Sequence, residues 1–379
     1  MSGKSDKKKP LVPRLRFPEF REAGAWEVKE LSAALAYAQP TPFIVSTEQY
    51  GTSGTPVLTA GKTFILGHTS EDFGIYERVP VIIFDDFTTE AKFVDFPFKV
   101  KSSAIKILSP RPGYSLKFVL EAIISIQFDA SQHKRHWIGE FQHLKIPFPP
   151  PKEQQKIAHC LSSLDEVIGL QAKKVQALKQ HKKGLMQQLF PAEGETTPRL
   201  RFPEFREAGA WDKQRIGDLL SLEYGAPLPE GSRLEGDIPV IGSNGVVGYH
   251  SEPLIKGPAI VIGRKGSAGQ VSWIDSPCYP IDTTFFVDLS RKDCQLRFIY
   301  LLLEHHRLQE LVREGGVPGL NRDDVYAVKA TISKHTEQQK IAHCLSSLDE
   351  VIGLESHKLD ALKNLKKGLM QQLFPQEVA

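Results

Sequence analysis

Several short segments carry side chains able to do chemistry. Asp86 with Glu90-Ala-Lys92 has the make-up of a metal-dependent nuclease, in which carboxylates hold Mg²⁺ and a lysine sits near the scissile phosphate. Gly263-Arg-Lys-Gly-Ser-Ala-Gly269 places Arg264, Lys265 and Ser267 in a Gly-rich loop after an apolar run. It lacks GxxxxGK[ST], which argues against a nucleotide P-loop. Gly permits close backbone approach and Arg can bond a guanine edge bidentately, so a DNA contact suits it better, with a solvated hairpin turn as the plainer alternative. Gly242-Ser243-Asn244-Gly245 reads as a turn whose Ser and Asn are competent base readers. His133-Lys134-Arg135-His136 is the densest basic cluster of the first half, and Asn321-Arg322 lies at the matching place in the second. His159-Cys160 and His343-Cys344 flank helix core positions and read as packing rather than as metal ligands.

These segments are positioned by a chain written twice. PRLRFPEFREAGAW at 13–26 recurs unchanged at 198–211, and EQQKIAHCLSSLDEVIGL at 153–170 recurs unchanged at 337–354. Across 153–191 against 337–375, 32 of 39 positions match. The inserts between them, 27–152 and 212–336, differ greatly yet share landmarks in order. Pro56 answers Pro239, Gly67 answers Gly248, Pro80 answers Pro258, Ser102-Ser-Ala-Ile answers Thr283-Thr-Phe-Phe, and Leu116 answers Leu296. The acidic pair Asp85-Asp86 is answered by Gly263-Arg264, which counts against the nuclease reading. Two long repeats make a pseudo-dimer rather than a solenoid: one fold carrying two surfaces on a common frame.

In the frame, apolar residues alternate four and three apart. The first copy runs Ile157, Leu161, Leu164, Ile168, Gln171, Val175, Leu178, Lys182, Leu185, Leu189. The second runs Ile341, Leu345, Leu348, Ile352, Glu355, Leu359, Leu362, Lys366, Leu369, Leu373. That is a coiled-coil seam. Antiparallel pairing is expected, with Gln171 facing Lys366 and Lys182 facing Glu355, because parallel pairing would put Lys182 beside Lys366. A helix of about 36 residues spans roughly 54 Å and would hold two domains at a set separation. Thr336 with Gln339 supplies a capping box for the second helix.

Each insert alternates short β-branched and aromatic runs (79–84, 98–108, 257–263, 283–289) with one late helix, expected at 115–128 and 294–314. The fold class is α+β. The domain reading is a basic tail at 1–12, insert domains at 13–152 and 198–336, a helix at 153–191, a second helix with a C-terminal tail at 337–379, and a linker at 192–197.

Composition removes other classes. The 379 residues are 41% hydrophobic and 25% charged, with net charge +3. Residues 1–16 carry a net +5, which leaves the remainder at −2, so cations for a polyanion must be placed locally. No apolar run is long enough to cross a membrane, and no signal-like segment is evident, so a cytoplasmic location is expected. Four Cys without a C-x-x-C give neither a disulfide framework nor a zinc ribbon. A methyltransferase signature (FxGxG with [ND]PP[YF]), a Walker A motif and G-x-S-x-G are all missing, so no catalytic role is expected.

With these residues in view, the chain resembles the specificity subunit of type I restriction–modification systems. The resemblance rests on Arg14-Leu-Arg-Phe-Pro18 with Trp26 and their copies at 199–203 and 211. Also carrying it are 56–67, 82–108, 239–250, 257–269, 317–324 and the lead into the first helix at 149–158. It implies two similar mixed α/β target recognition domains, separated by conserved helices that pair as an antiparallel coiled coil with pseudo-two-fold symmetry. Each domain would read one half of a bipartite, asymmetric site in double-stranded DNA. Two adenine-methyltransferase subunits would dock on the helices, and restriction/translocase subunits would join them. S-adenosylmethionine, ATP and Mg²⁺ would serve those partners, with no cofactor in this chain. Expected DNA contacts are Lys62, Thr63, Thr88, Thr89, Lys92, Lys134 and Arg135 in the first insert. In the second they are Ser243, Asn244, Arg264, Lys265, Ser267, Asn321 and Arg322. The alternatives are a self-contained nuclease using Asp86, Glu90 and Lys92, or a scaffold that binds no DNA.

Overall fold

The computed structural model describes residues 11–59, 61, 63–126, 128, 135–290, 293–312 and 319–375. The chain divides into two compact units, one formed by 1–172 with 357–379 and the other by 173–356. Neither unit is an insert alone, because each takes half of both long helices.

In the first unit the strands are β1 (Glu27–Glu30), β2 (Leu35–Ala38), β3 (Thr55–Leu58), β4 (Ile65–Thr69), β5 (Val81–Asp85), β6 (Ala91–Val94), β7 (Lys99–Val100), β8 (Ile105–Pro110) and β9 (Lys145–Phe148). The helices are α1 (Leu31–Ala34), α2 (Leu116–Ser125) and the long α3 (Pro151–Leu189). A four-stranded sheet in the order β2-β8-β5-β6 stands beside a three-stranded sheet β4-β3-β7 and a ribbon β1-β9. Among the described strands of this unit, β3 and β7 pair in parallel and the other pairs are antiparallel. β5 is apolar from Val81 to Phe84 because both its faces are covered there. Ile82 and Phe84 join the core made with Trp26, Phe118 and Trp137. Val81 and Ile83 join Leu58, Phe98 and Val100 under the second sheet. α2 starts at Ser115, whose side chain accepts the Phe118 N–H, and it buries Leu116, Phe118, Val119, Ala122 and Ile123.

The second unit repeats this plan. Its strands are β10 (Asp212–Arg215), β11 (Ser221–Tyr224), β12 (Ile238–Gly242), β13 (Gly245–His250), β14 (Ala259–Gly263), β15 (Val271–Ile274), β16 (Tyr279–Pro280), β17 (Thr284–Asp288) and β18 (Lys329–Ile332). Its helices are α4 (Ile216–Leu219), α5 (Leu296–His305), α6 (Arg322–Ala327) and the long α7 (His335–Leu373). The sheets are β11-β17-β14-β15, β13-β12-β16 and β10-β18, the same order as in the first unit.

The late helix expected through residue 314 ends at His305, and a 3₁₀ turn follows at Leu308–Leu311. Arg307 breaks it with φ +45°, which inserts Leu308 fully into the core. The turn lies so close to Gly269 (φ +79°) that a Cβ there would stand 2.5 Å from the Gln309 nitrogen. The run 98–108 is two strands, β7 and β8, rather than one. The landmark match at 102–105 also slips by two residues. Ala104 is equivalent to Thr283, since their carbonyls accept the N–H groups of Asp86 and Arg264.

Identical frame residues do identical work. Arg16 grips Glu153 with Nε (2.8 Å) and Nη2 (2.7 Å), and Arg201 grips Glu337 the same way (2.7 and 2.7 Å). The Gln154 side chain accepts from Ser115 N–H and donates to the Pro149 carbonyl, while Gln338 does the same with Gln295 and Ser333. These amides, rather than a Thr336 capping box, fix the start of α7. That helix begins two residues earlier than the box requires, and the Lys334 carbonyl takes its first N–H bonds. Phe374 closes the first unit against Trp26 and Phe118, and Phe190 closes the second against Trp211 and Phe298.

α3 and α7 run antiparallel, as the spacing requires. Asp165 meets Lys366 (2.7 Å) in the first unit, and Lys182 meets Asp349 (2.7 Å) in the second. All ten seam positions of each helix are buried or half-buried. The register is corrected: Lys366 does not face Gln171 and Lys182 does not face Glu355. Lys366 bonds Asp165 and Glu121, Lys182 lies with Asp349 and Glu304, and Glu355 pairs with Lys174. A lysine leaving a seam is held more strongly by two carboxylates than by one amide, and the insert helices α2 and α5 provide the second acid. The Glu121 carboxyl is pushed up by burial, with Lys366 opposing and Asp165 reinforcing the shift. At Lys366 burial works downward, yet its bonds to Asp165 and Glu121 outweigh it and hold the ammonium above its ordinary value.

Candidate nucleic-acid interface

In each unit the central sheet ends in the hairpin that follows its buried strand, and the described candidate side chains sit around that end. In the second unit all seven expected residues converge. β12 and β13 join through Ser243-Asn244, with Gly242 opposite Gly245. Ser243 Oγ donates to the Thr283 carbonyl (2.6 Å), and the same carbonyl takes the N–H groups of Arg264 (2.8 Å) and Lys265 (3.2 Å). Ser267 Oγ reaches Asn244 Oδ1 at 3.5 Å. Lys265 bridges to Gly319, and Leu320 N–H bonds the Arg264 carbonyl, which brings Asn321 and Arg322 to the same surface.

Besides Ser243, Asn321 and Arg264 also make bonds within the fold. Asn321 caps α6, its Oδ1 accepting from Asp323 N–H at 3.0 Å, so its amide cannot offer adenine a donor and an acceptor together. Arg264 donates through Nε and Nη2 to the Asp282 carbonyl (3.2 and 2.7 Å). A residue missed in the sequence stands at the centre: Tyr224, 51% exposed, lies 5.2 Å from the Arg264 guanidinium and 5.4 Å from that of Arg322. It ends a strand at no recognisable motif, and only the sheet places it there.

The first unit differs in kind. Asp85 Oδ1 accepts from Phe87 and Thr88 N–H (both 2.9 Å), and Thr89 turns the chain with φ +59°. Thr88, Thr89 and Lys92 line a cavity of about 350 Å³ backed by Ile123, Ile126 and Phe141. Lys92 Nζ lies 5.5 Å from the Phe64 ring, next to exposed Thr63. Arg135 bonds Ser103 Oγ at 3.1 Å. Lys62 and Lys134 lie outside the described residues.

Asp86 is not available to a metal. It is 1% exposed, pairs with Lys106 at 3.0 Å, and holds the backbone of Trp137 (2.8 Å to Oδ1) and His136 (2.9 Å to its carbonyl). Glu90 is exposed and stands on the other side of the turn. Among the described residues no group of three His, Cys, Asp or Glu side chains could hold a metal ion. The second unit places Arg264 where the first has Asp86, and Phe285 where it has Lys106. A buried ion pair in one unit is thus a guanidinium 5.9 Å from a ring in the other.

Comparison with known proteins places these features. The sequence profile of the type I restriction modification DNA specificity domain matches residues 81–180 and 209–364. The specificity subunit of the Escherichia coli type I restriction enzyme EcoR124I/EcoR124II is 30% identical over 346 residues, covering 83% of this chain and 84% of that one. The MjaVIII specificity subunit of Methanocaldococcus jannaschii is 23% identical over 265 residues, 62% of each chain. Among solved structures, the S subunit of the M. genitalium type I system superposes with a TM-score of 0.69 at 18% identity, over 97% of this chain and all of that one. No helix among the described residues is long and apolar enough to cross a membrane.

Proposed function

Because the chain belongs to the type I restriction–modification DNA specificity family, we propose that it is the DNA sequence-recognition component of such a system. Each unit reads one half of a bipartite, asymmetric site in double-stranded DNA. The observation that carries this reading is the contrast between frame and surface. The two units share their sheet orders, the buried arginine–glutamate grip and the glutamine that fixes the start of each long helix, yet differ in charge and shape at the hairpin end holding Asp86–Lys106 or Arg264–Tyr224. Equal frames suit equal partners, and unequal ends suit unequal half-sites.

The frame also presents matched apolar residues to solvent. Val167 and Leu170 are 48% and 67% exposed on α3, and their copies Val351 and Leu354 are 41% and 71% exposed on α7. Such residues at identical places supply contacts for two identical adenine-methyltransferase subunits, with restriction/translocase subunits completing the complex. S-adenosylmethionine, ATP and Mg²⁺ then act in those partners, and this chain performs no chemistry of its own.

Two experiments test the proposal. Exchanging residues 27–152 for the insert of a relative should change one half of the methylated site, mapped by sequencing modified adenines, and leave the other half intact. A change in both halves refutes the assignment of one unit to one half-site. DNA cleavage by the purified chain with Mg²⁺, lost in Glu90→Ala, would favour the nuclease reading instead.

A further inference from the structure

Two arginines share the exposed surface around Tyr224, and their surroundings give them different work. A guanidinium identifies guanine when its plane is held and two N–H groups on one edge are free to meet O6 and N7. A phosphate asks only for a nearby cation. Arg264 spends its Nε and Nη2 on the Asp282 carbonyl, in a strand end fixed by the adjoining bonds from Arg264 and Lys265 N–H to Thr283. It ties the hairpin to the sheet and forms one wall of the site.

Arg322 is placed the opposite way. Its backbone is the first turn of α6, capped by Asn321. Its guanidinium lies 5.4 Å from the centroid of Tyr224 and 5.9 Å from that of Tyr326. Tyr326 is itself pinned, its hydroxyl accepting the Leu222 N–H at 2.8 Å. Among the described residues no carboxylate or carbonyl takes any of the donors of Arg322. The side chain is therefore placed over aromatic rings with its hydrogen-bonding capacity unused among the described residues, so little freedom remains to be lost on binding. Exposed Lys265 has no carboxylate within reach among the described residues and suits a neighbouring phosphate.

We infer that Arg322 reads a guanine edge in the major groove of the half-site bound by the second unit. Tyr224 acts as the positioning residue that holds its plane, and Arg264, tied through Nε and Nη2 to the Asp282 carbonyl, braces the hairpin beside it. The inference rests on the DNA-recognition reading above and names the base class and the residue.

The test uses the full chain with an adenine-methyltransferase partner and a pool of randomised duplex DNA. Wild type should select a two-part consensus. Arg322→Lys keeps the charge and removes the planar fork. It should lower discrimination at a single G·C pair of one half-site, by at most roughly 5- to 150-fold, while binding to unrelated DNA and its salt dependence stay as in wild type. Tyr224→Ala should weaken the same base pair and Tyr224→Phe should restore it. A consensus unchanged in Arg322→Lys, or relaxed at a pair other than G·C, overturns the inference and leaves the DNA-recognition reading in place. Failure of wild type to select any consensus overturns that reading itself. Should the lysine variant fail to fold, Arg322→Gln carries the same comparison, since it also lacks the two-donor edge that guanine requires.

Discussion

Replacing Glu153 by Gln removes one charge and almost no volume from the point where the arm at 13–18 meets α3. The Glu153 side chain is fully buried, and both its oxygens accept from Arg16, whose Nη1 is committed to the Gly24 carbonyl at 2.6 Å. A glutamine leaves a buried guanidinium without its counter-ion and sets an amide N–H₂ against one of its donors. Breaking a buried, hydrogen-bonded pair from one side costs about 3–5 kcal/mol. With a urea dependence of about 2 kcal/mol per molar, the midpoint of the first unit should fall by roughly 1.5–2.5 M. Trp26 and Trp137 report that unit by fluorescence once Trp211 and Trp273 of the second unit are replaced by Phe. Removing both charges together, Arg16→Met with Glu153→Leu, should recover most of the loss, because the penalty belongs to the orphaned charge rather than to the absent contact. The exposed pair Lys156–Glu19, also at the start of α3, is the control, and Glu19→Gln should leave the midpoint where it is. A loss under about 1 kcal/mol for Glu153→Gln, or a double variant no better than the single one, would refute the reasoning.

Three further outcomes follow from the same structure. Burial pushes His306 down to about 4, with the neighbouring His305 charge adding to it, so the folded chain keeps this ring neutral at pH values where the unfolded chain protonates it. Stability should therefore be complete above pH 6.5 and decline as pH falls toward 4. The ceiling is about 3 kcal/mol, and partial exposure reduces it to about 1–2, visible as a shallower pH slope of the melting temperature in His306→Gln. Asp86→Ala strands the buried Lys106 and should destabilise the first unit by about 3–5 kcal/mol, whereas Glu90→Ala should leave its urea midpoint unchanged; equal effects would contradict the structural role given to Asp86. Finally, Leu15 N–H bonds the Gln372 carbonyl (3.0 Å) as Leu200 N–H bonds that of Gln188 (2.9 Å), so the arm at 13–18 continues from α7 as that at 198–203 continues from α3. A circular permutant joined there and opened within 193–197 should fold and bind DNA, and loss of folding measured by circular dichroism would count against this arrangement.

The sequence by itself determined whatever depends on identity and period. Exact recurrence of 13–26 and 153–170 implied two equivalent frames, and the four–three spacing with two seam lysines implied antiparallel helices, because like charges cannot share a core. It also placed seven polar residues of the second insert that the fold gathers at one hairpin end. Tertiary structure alone decided which of those are spent and which are free. Seam spacing fixes the face of a helix but not its partner's offset, and the Lys366–Glu121 and Lys182–Glu304 contacts depend on α2 and α5, which no period in α3 or α7 encodes. Asp86 looked catalytic because spacing along a chain says nothing about burial, and Lys106 from another strand claims it. Tyr224 was invisible for the same reason. Its role comes from neighbours 40 and 98 residues away, and the pairing of strands, not any local pattern, brings Arg264 and Arg322 to its ring.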